Sequence, residues 1–290
     1  MRKFVISTDT TSDLPAEYVK AHDIDIHSLY YRFGDDVYGG DRQLTPKEFF
    51  DRVRAGEMPT TMATNPEDSK ELFKKRVENG EDVLHIAFSS ALSSSYQNAC
   101  IAANEVMEEY PDAKIVVIDS KAASMGEGIL VYKAIQKMED GGTMEECAAY
   151  VEELIDHSAH HFTVDDLFHL QRGGRVSKAV AVVGTLAGIK PNLCVNEEGG
   201  LEQYTKVRGR KKALTTLVDT MDKLMGSYRD KTDIVMVVHD DTTEDAKAVA
   251  AMIKERFGFE NIMLNPICPT IGAHTGPGVV GVFFLADKKR

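Results

Sequence analysis

Phe4-Val5-Ile6-Ser7-Thr8-Asp9-Thr10-Thr11-Ser12 is a short apolar run that gives way at once to a string of hydroxyls. A run of this length with polar flanks predicts a buried strand, and four others read the same way. They are Val83 to Phe88, Ile115 to Ile118, Ile234 to Val238 and Ile262 to Leu264, each flanked by stretches of helical period. Strand-like runs alternating with helical ones predict an α/β fold with largely parallel sheets. Tyr30 to Tyr38, turning at Gly34-Asp35-Asp36, and Leu193 to Thr205, turning at Glu198-Gly199-Gly200, read as hairpins that interrupt the alternation.

Helix starts are written in the residue types. Thr45-Pro46-Lys47-Glu48 supplies a cap, a proline at the first helical position and a capping-box glutamate, and Asn65-Pro66-Glu67-Asp68 repeats the design with aspartate in place of glutamate. A chain of 290 residues fits two ordinary domains. The division is expected near His157 to Thr163, where a helix opened by Thr143 ends and a strand begins, giving domains over 1–160 and 161–290.

Composition narrows the function. Hydrophobic residues make up 43% and charged residues 28%, enough apolar content for a packed core. The formal net charge of −12 repels phosphate backbones and anionic surfaces, so no nucleic-acid partner is expected. Met1 to Ser7 contains only three consecutive apolar residues and no signal-peptide core, and no stretch approaches the roughly 20 apolar residues of a membrane span. Cys100, Cys147, Cys194 and Cys268 are too dispersed for a disulfide framework or a CxxC metal site. A cytoplasmic protein without stable membrane insertion is expected.

Three strand ends share one chemistry: Ser7 to Ser12, Ser89 to Ser95, and Asp119-Ser120. In open α/β sheets ligands bind beyond the carboxyl ends of the strands, where helix N-termini offer free N–H groups and partial positive charge. Serine and threonine hydroxyls add neutral donors suited to an anion. Met58-Pro59-Thr60-Thr61-Met62-Ala63-Thr64 brings more of them just before a capped helix. The same residue types are also the preferred helix N-caps. The residues alone therefore support a small-anion site and nothing narrower.

From end to end the chain resembles the DegV family, in particular its fatty-acid-binding FakB type. The family's strand followed by T-D-S/T-T-S-D-L-P matches Thr8 to Pro15, and P-x-T-S-Q-P is partly matched at Pro59-Thr60-Thr61. S-S-x-L-S-G-T-Y matches Ser89 to Tyr96, and V-I-D-S matches Val117 to Ser120. In the second half L-x-x-G-G-R-V/I-S matches Leu170 to Ser177, I-K-P matches Ile189 to Pro191, K-V-R-x-x-K-K matches Lys206 to Lys212, and H-T-G-P-G matches His274 to Gly278.

The resemblance implies two α/β domains, the first with a mostly parallel sheet and the second mixed, with a long-chain fatty acid between them. It further implies a lipid carrier rather than an enzyme. A separate ATP-dependent fatty acid kinase of the FakA type phosphorylates the bound carboxylate to an acyl-phosphate, an intermediate for phospholipid synthesis in bacteria. By position, Thr61, Ser93 and His274 hold the carboxylate, with Thr64, Ser94 and Arg175 as secondary head-group contacts and Arg172 and Arg208 facing the kinase. No cofactor and no metal are implied. The chain departs from the pattern at Met62-Ala63, where the family has Ser-Gln, and at Ser94-Ser95, where it has Gly-Thr.

Other features carry less. His157, His160 and His161 have helical metal-ligand spacing but no further ligand to finish a set, so they are read as an exposed helix end. Gln171 to Lys212 holds nine basic residues (Arg172, Arg175, Lys178, Lys190, Lys206, Arg208, Arg210, Lys211, Lys212) and three acidic ones (Glu197, Glu198, Glu202), which suggests a docking face. Ala179 to Ile189 is apolar enough for an acyl tunnel and equally for a core.

The rival reading is a small-molecule hydrolase or phosphotransferase with Asp9 or Ser93 as nucleophile and His274 as base. No G-x-S-x-G elbow, P-loop or H-E-x-x-H supports it. A DNA-contacting regulator is disfavoured by the acidic charge and by the lack of a helix-turn-helix signature.

Overall fold

The computed structural model describes residues 3–177 and 188–289. Lys178 and most of the Ala179 to Ile189 stretch lie outside the described residues.

The quoted N-terminal run forms β1 (Lys3–Asp9), the second strand of a four-stranded parallel sheet ordered β2-β1-β6-β7, with β2 (Asp25–His27), β6 (Glu81–Ala87) and β7 (Ile115–Asp119). Strand period two sends alternate residues to two different cores. Val5, Val83 and Ile115 pack on Phe73 and Val77 of α3 (Pro66–Glu78) and Ala99 and Val106 of α4 (Ser95–Glu109). Ile6, Leu84 and Ile118 face the other way, toward Ile129 and Leu130 of α5 (Met125–Glu139) and Val151 of α6 (Met144–Ile155). Burial on both faces is why these strands read as continuous apolar runs.

The second half is built on a six-stranded mixed sheet ordered β10-β9-β8-β13-β11-β12. Its strands are β8 (Ser158–Thr163), β9 (Ile189–Val195), β10 (Leu201–Arg208), β11 (Val235–His239), β12 (Ile262–Pro266) and β13 (Val280–Leu285), and only β11 and β12 pair in parallel. Val235, Val237, Val280 and Val282 pack on α8 (Arg210–Leu224) and α9 (Glu244–Phe257). Met236, Val238 and Phe283 on the opposite face join the cluster that contains α5. Helix α5 is thus wedged between the two sheets, and the halves share one core. A β-carbon at Gly126 of α5 would lie 2.2 Å from His160 Nε2, so only glycine lets this helix approach β8.

Both hairpins are present. β3 (Tyr30–Phe33) and β4 (Asp36–Tyr38) join β5 (Thr60–Met62) in a three-stranded antiparallel sheet ordered β4-β3-β5, and β9 pairs with β10. Helix α2 (Pro46–Arg54) opens with the capping box at Thr45 and Glu48. At α3 the box is not closed. Asn65 accepts from the Glu67 N–H, while the shorter Asp68 carboxylate takes the Tyr30 hydroxyl and the Asn65 side-chain amide rather than the Asn65 backbone N–H.

One further expectation changes at β8, the strand on which the expected domain division also lies. A division at residue 160 falls inside β8, whose residues Ser158 and Ala159 pair with Leu285 and Phe284 in the second sheet. His160 and His161 are on this strand rather than on an exposed helix end, and both are buried. Strand alternation turns them to opposite faces, so helical spacing was the wrong geometry for them. Among the described residues no cluster of three or more metal-ligating side chains occurs, and no helix is long and apolar enough to cross a membrane.

Candidate functional site

Between the two halves lies a cavity of about 280 Å³. The N-terminal half contributes Leu29, Thr61 to Ala63, Phe88, Leu92 to Ser94, Ala123 and Ser124. The second half contributes, among others, Phe162, Leu170, Arg175, Val238 and Phe283, together with Ile271 and His274 of α10 (Pro269–Thr275). The wall is predominantly apolar, with a few convergent polar groups, as expected of a small-molecule site.

Those polar groups form one chain of contacts. Thr61 is placed by the β3–β5 pairing opposite the buried Tyr31, and its Oγ1 lies 2.8 Å from His274 Nε2. The other edge of the His274 ring rests on Gly173, where a β-carbon would sit 2.0 Å from Nδ1. Arg175 donates through Nη1 to the Gly173 carbonyl (2.6 Å) and through Nε and Nη2 to the Leu92 carbonyl (3.1 and 2.6 Å). Next along the chain, the Ser93 hydroxyl accepts the Ser95 N–H at 3.2 Å and lies 2.9 Å from the Ser95 hydroxyl. Ser93 and Ser94 immediately precede the 15-residue helix α4, whose N-terminus adds partial positive charge.

Electrostatically the site favours an anion, since among the described residues no carboxylate lines it and a guanidinium does. Burial, reinforced by the Arg175 and Arg172 charges, pushes the His274 imidazole down to about 3, so it is neutral at physiological pH. Burial also lowers Arg175, yet a guanidinium stays charged. His274 Nδ1 meets Gly173 and finds no hydrogen-bond partner among the described residues. A proton there would be left without an acceptor, which favours the tautomer with the proton on Nε2. That N–H donates to Thr61 Oγ1, leaving the threonine proton free to donate into the cavity.

The residues expected from the sequence divide accordingly. Thr61, Ser93, Ser94, Arg175 and His274 all line the cavity. Thr64 is buried behind it, its N–H donating to Ser95 Oγ at 3.2 Å. Arg172 is also behind, donating to the Ala273 carbonyl at 3.1 Å, and Arg208 is exposed at the end of β10. Met62 and Ala63 both line the wall, so the departures from the family pattern make this end more apolar. The basic excess between Gln171 and Lys212 is partly neutralised: Lys190 pairs with Asp165, Arg210 with Asp245 and Lys212 with Asp219.

The hydroxyls at the end of β1 serve a different purpose from the one expected. Thr8 and Thr11 donate to the fully buried Glu127, and Ser7 pairs with His85. Ser7, His85 and Asp9 approach a nucleophile–base–acid order, with His85 Nε2 3.7 Å from Asp9 Oδ1, but all three are 0% exposed and none touches the cavity. Asp9 is therefore unavailable as a nucleophile. Ser93 is engaged with Ser95, while His274 Nε2 is engaged with Thr61. Sequence reading missed Ser124, His160, Thr270 and Thr275, which also line the wall. The Ser158-His160-Phe162 alternation of β8 carried a signal for His160, and the His274 to Gly278 motif one for Thr275.

Comparison with known proteins agrees with this architecture. The model of the DegV family of uncharacterised proteins matches residues 3–287. A DegV domain-containing protein of Clostridium perfringens is 42% identical over 292 aligned positions covering 100% of both chains. Among solved structures, a fatty-acid-binding DegV family protein from Thermus thermophilus is 30% identical, with a TM-score of 0.86 over 99% of this chain and 100% of that one. A stearic-acid-binding protein from Eubacterium ventriosum is 26% identical, with a TM-score of 0.88 over 99% of this chain and 98% of its own. The family match over nearly the whole length and the 42% identical relative lead to one conclusion: this chain belongs to the DegV family.

Proposed function

We propose that this protein is a cytoplasmic carrier that binds a long-chain fatty acid and presents its carboxylate to a separate ATP-dependent kinase of the FakA type. The observation that carries the reading is the pairing of an apolar cavity with a cluster of neutral donors beside one guanidinium. The hydrocarbon occupies the apolar part, where each buried methylene contributes about 0.8 kcal/mol. The carboxylate is held by the Thr61 and Ser93 hydroxyls, with His274 orienting the Thr61 proton and Arg175 supplying positive charge.

Such a carboxylate keeps its nucleophilic oxygen, because hydroxyl donors satisfy it without a direct ion pair. In the kinase complex that oxygen attacks the γ-phosphorus of ATP. The acyl-oxygen–phosphorus bond forms, the bond to the β-phosphate bridging oxygen breaks, and ADP leaves. The carrier supplies no catalytic group of its own. Arg208, exposed at the end of β10, and Arg172 are the residues through which the kinase is engaged.

The test is a reconstituted assay with a fatty acid kinase, ATP and the protein loaded with radiolabelled oleate. Acyl-phosphate formation that falls in Arg208→Ala, with direct oleate binding intact, supports the reading. Loss of both together moves Arg208 into the binding site, and no acyl-phosphate with any kinase tested removes the carrier role.

A further inference from the structure

Asp13 is an acidic residue that touches both walls of the cavity without lining it. It follows β1 and is 4% exposed. Its backbone is left-handed, with φ at 53°, a conformation that an aspartate adopts at a cost unless its surroundings hold it there. Its contacts do so. On the N-terminal wall the Ser124 hydroxyl, itself on a residue with φ at 56°, donates to Asp13 Oδ2 at 2.5 Å. On the opposite wall the Cys268 N–H donates to Asp13 Oδ1 at 2.7 Å, and Asn265 Nδ2 donates to the Asp13 carbonyl at 2.8 Å.

Each partner leads directly to the cavity. Ser124 lines it. Cys268 is the N-cap of α10, the helix that carries Thr270, Ile271, His274 and Thr275 to the other side. One carboxylate therefore joins the wall made by the β7–α5 loop to the base of the helix that delivers His274 to Thr61. Both carboxylate oxygens are used, so a shift of either wall leaves a buried polar group unpaired.

We propose that Asp13 is a positioning residue for the carboxylate site: it locks α10 against the Ser124 loop, and so holds His274 Nε2 within hydrogen-bond distance of Thr61. The proposal rests on the fatty-acid reading of that site. Asp13 touches no ligand and acts only through His274, which separates it from the residues already assigned.

A double-mutant cycle on the full-length protein tests it, reading dissociation constants for the fluorescent fatty acid cis-parinaric acid. Asp13→Asn keeps the shape and loses the second acceptor. It is expected to weaken binding about tenfold in the wild-type background and less than about twofold further in the His274→Ala background, since coupled positions are non-additive. Asn265→Ala, which frees the Asp13 carbonyl from a side chain off the cavity, is expected to show the same background dependence with about a threefold loss. It carries the test if Asp13→Asn does not fold. Equal losses in both backgrounds overturn the proposal by placing Asp13 in general stability, and no loss in either variant overturns it outright. If His274→Ala binds as tightly as wild type, the carboxylate-site reading falls as well, an outcome distinct from an additive cycle.

Discussion

Thr61 Oγ1 and His274 Nε2, 213 residues apart in the chain, lie 2.8 Å from each other across the cavity. If the imidazole orients the threonine proton toward a ligand carboxylate, Thr61→Val removes the donor while keeping the volume. It should weaken fatty-acid binding by about 1 to 3 kcal/mol with little change in melting temperature. Thr61→Ser, which restores the hydroxyl, should recover most of that loss. Isothermal titration with oleate gives both values, and equal affinities for the valine and serine variants would count against the hydroxyl.

Gly173 makes the same point from the other edge of the ring. A β-carbon there would meet His274 Nδ1 at 2.0 Å, so Gly173→Ala must displace the imidazole or its helix. Binding should fall at least as far as in His274→Ala, and the His274 ring resonances in an NMR spectrum should move. Unmoved resonances would show that the ring does not need this gap.

The apolar wall gives a prediction that involves no polar group. Ala123 faces the cavity, and Ala123→Phe fills part of it. Displacing three or four methylenes costs about 2.4 to 3.2 kcal/mol. The variant should therefore lose affinity for long acyl chains far more than for short ones, as measured by competition across a chain-length series. A uniform loss across the series would place Ala123 away from the acyl tail.

The buried ionisable groups predict a pH profile whose terms oppose one another. Burial pushes Asp13 up to about 7, and raises the neighbouring carboxyls of Asp9 and Glu127. Their stabilising contribution is complete below the unfolded carboxylate range and is lost as pH rises toward neutrality. Burial pushes His27 and His274 down to about 3 and His161 to about 4, and lowers His85, His160 and His169 as well. Acidification below about 6.5 protonates these histidines only in the unfolded chain and so destabilises the fold. The histidines outnumber the carboxyls, so stability should rise between about pH 5 and pH 6.5. Asp13→Asn removes one opposing proton and should steepen that rise by up to about 1.4 kcal/mol per pH unit. Urea denaturation at a series of pH values measures it, and a shallower slope in the variant contradicts the assignment.

What the sequence made legible was local. The β1, β6 and β7 runs, the two hairpins and the Thr45 capping box depend on near neighbours, and each is present in the structure. The site residues Thr61, Ser93 and His274 came from motif resemblance, since nothing in their own spacing brings them together. Asp13 stood inside the matched Thr8 to Pro15 motif without a role: its carboxylate partners lie 111 and 255 residues away, and its left-handed backbone leaves no mark on composition. The hydroxyls after β1 looked like an anion site because buried carboxylates such as Glu127 require the same donors that an external anion does. His160 and His161 follow His157 by three and four residues, a spacing that suits a helix, and the pairing of β8 with β13 shows them to be strand residues.

Native and denaturing mass spectrometry of the freshly purified protein, with organic extraction of whatever is released, shows whether the cavity holds a fatty acid. The expected result is a non-covalent adduct of fatty-acid mass, near one per chain, that is lost on denaturation and reduced in the Thr61→Val variant. A protein that carries no such adduct and takes up none when incubated with saturated and unsaturated long-chain fatty acids would contradict it.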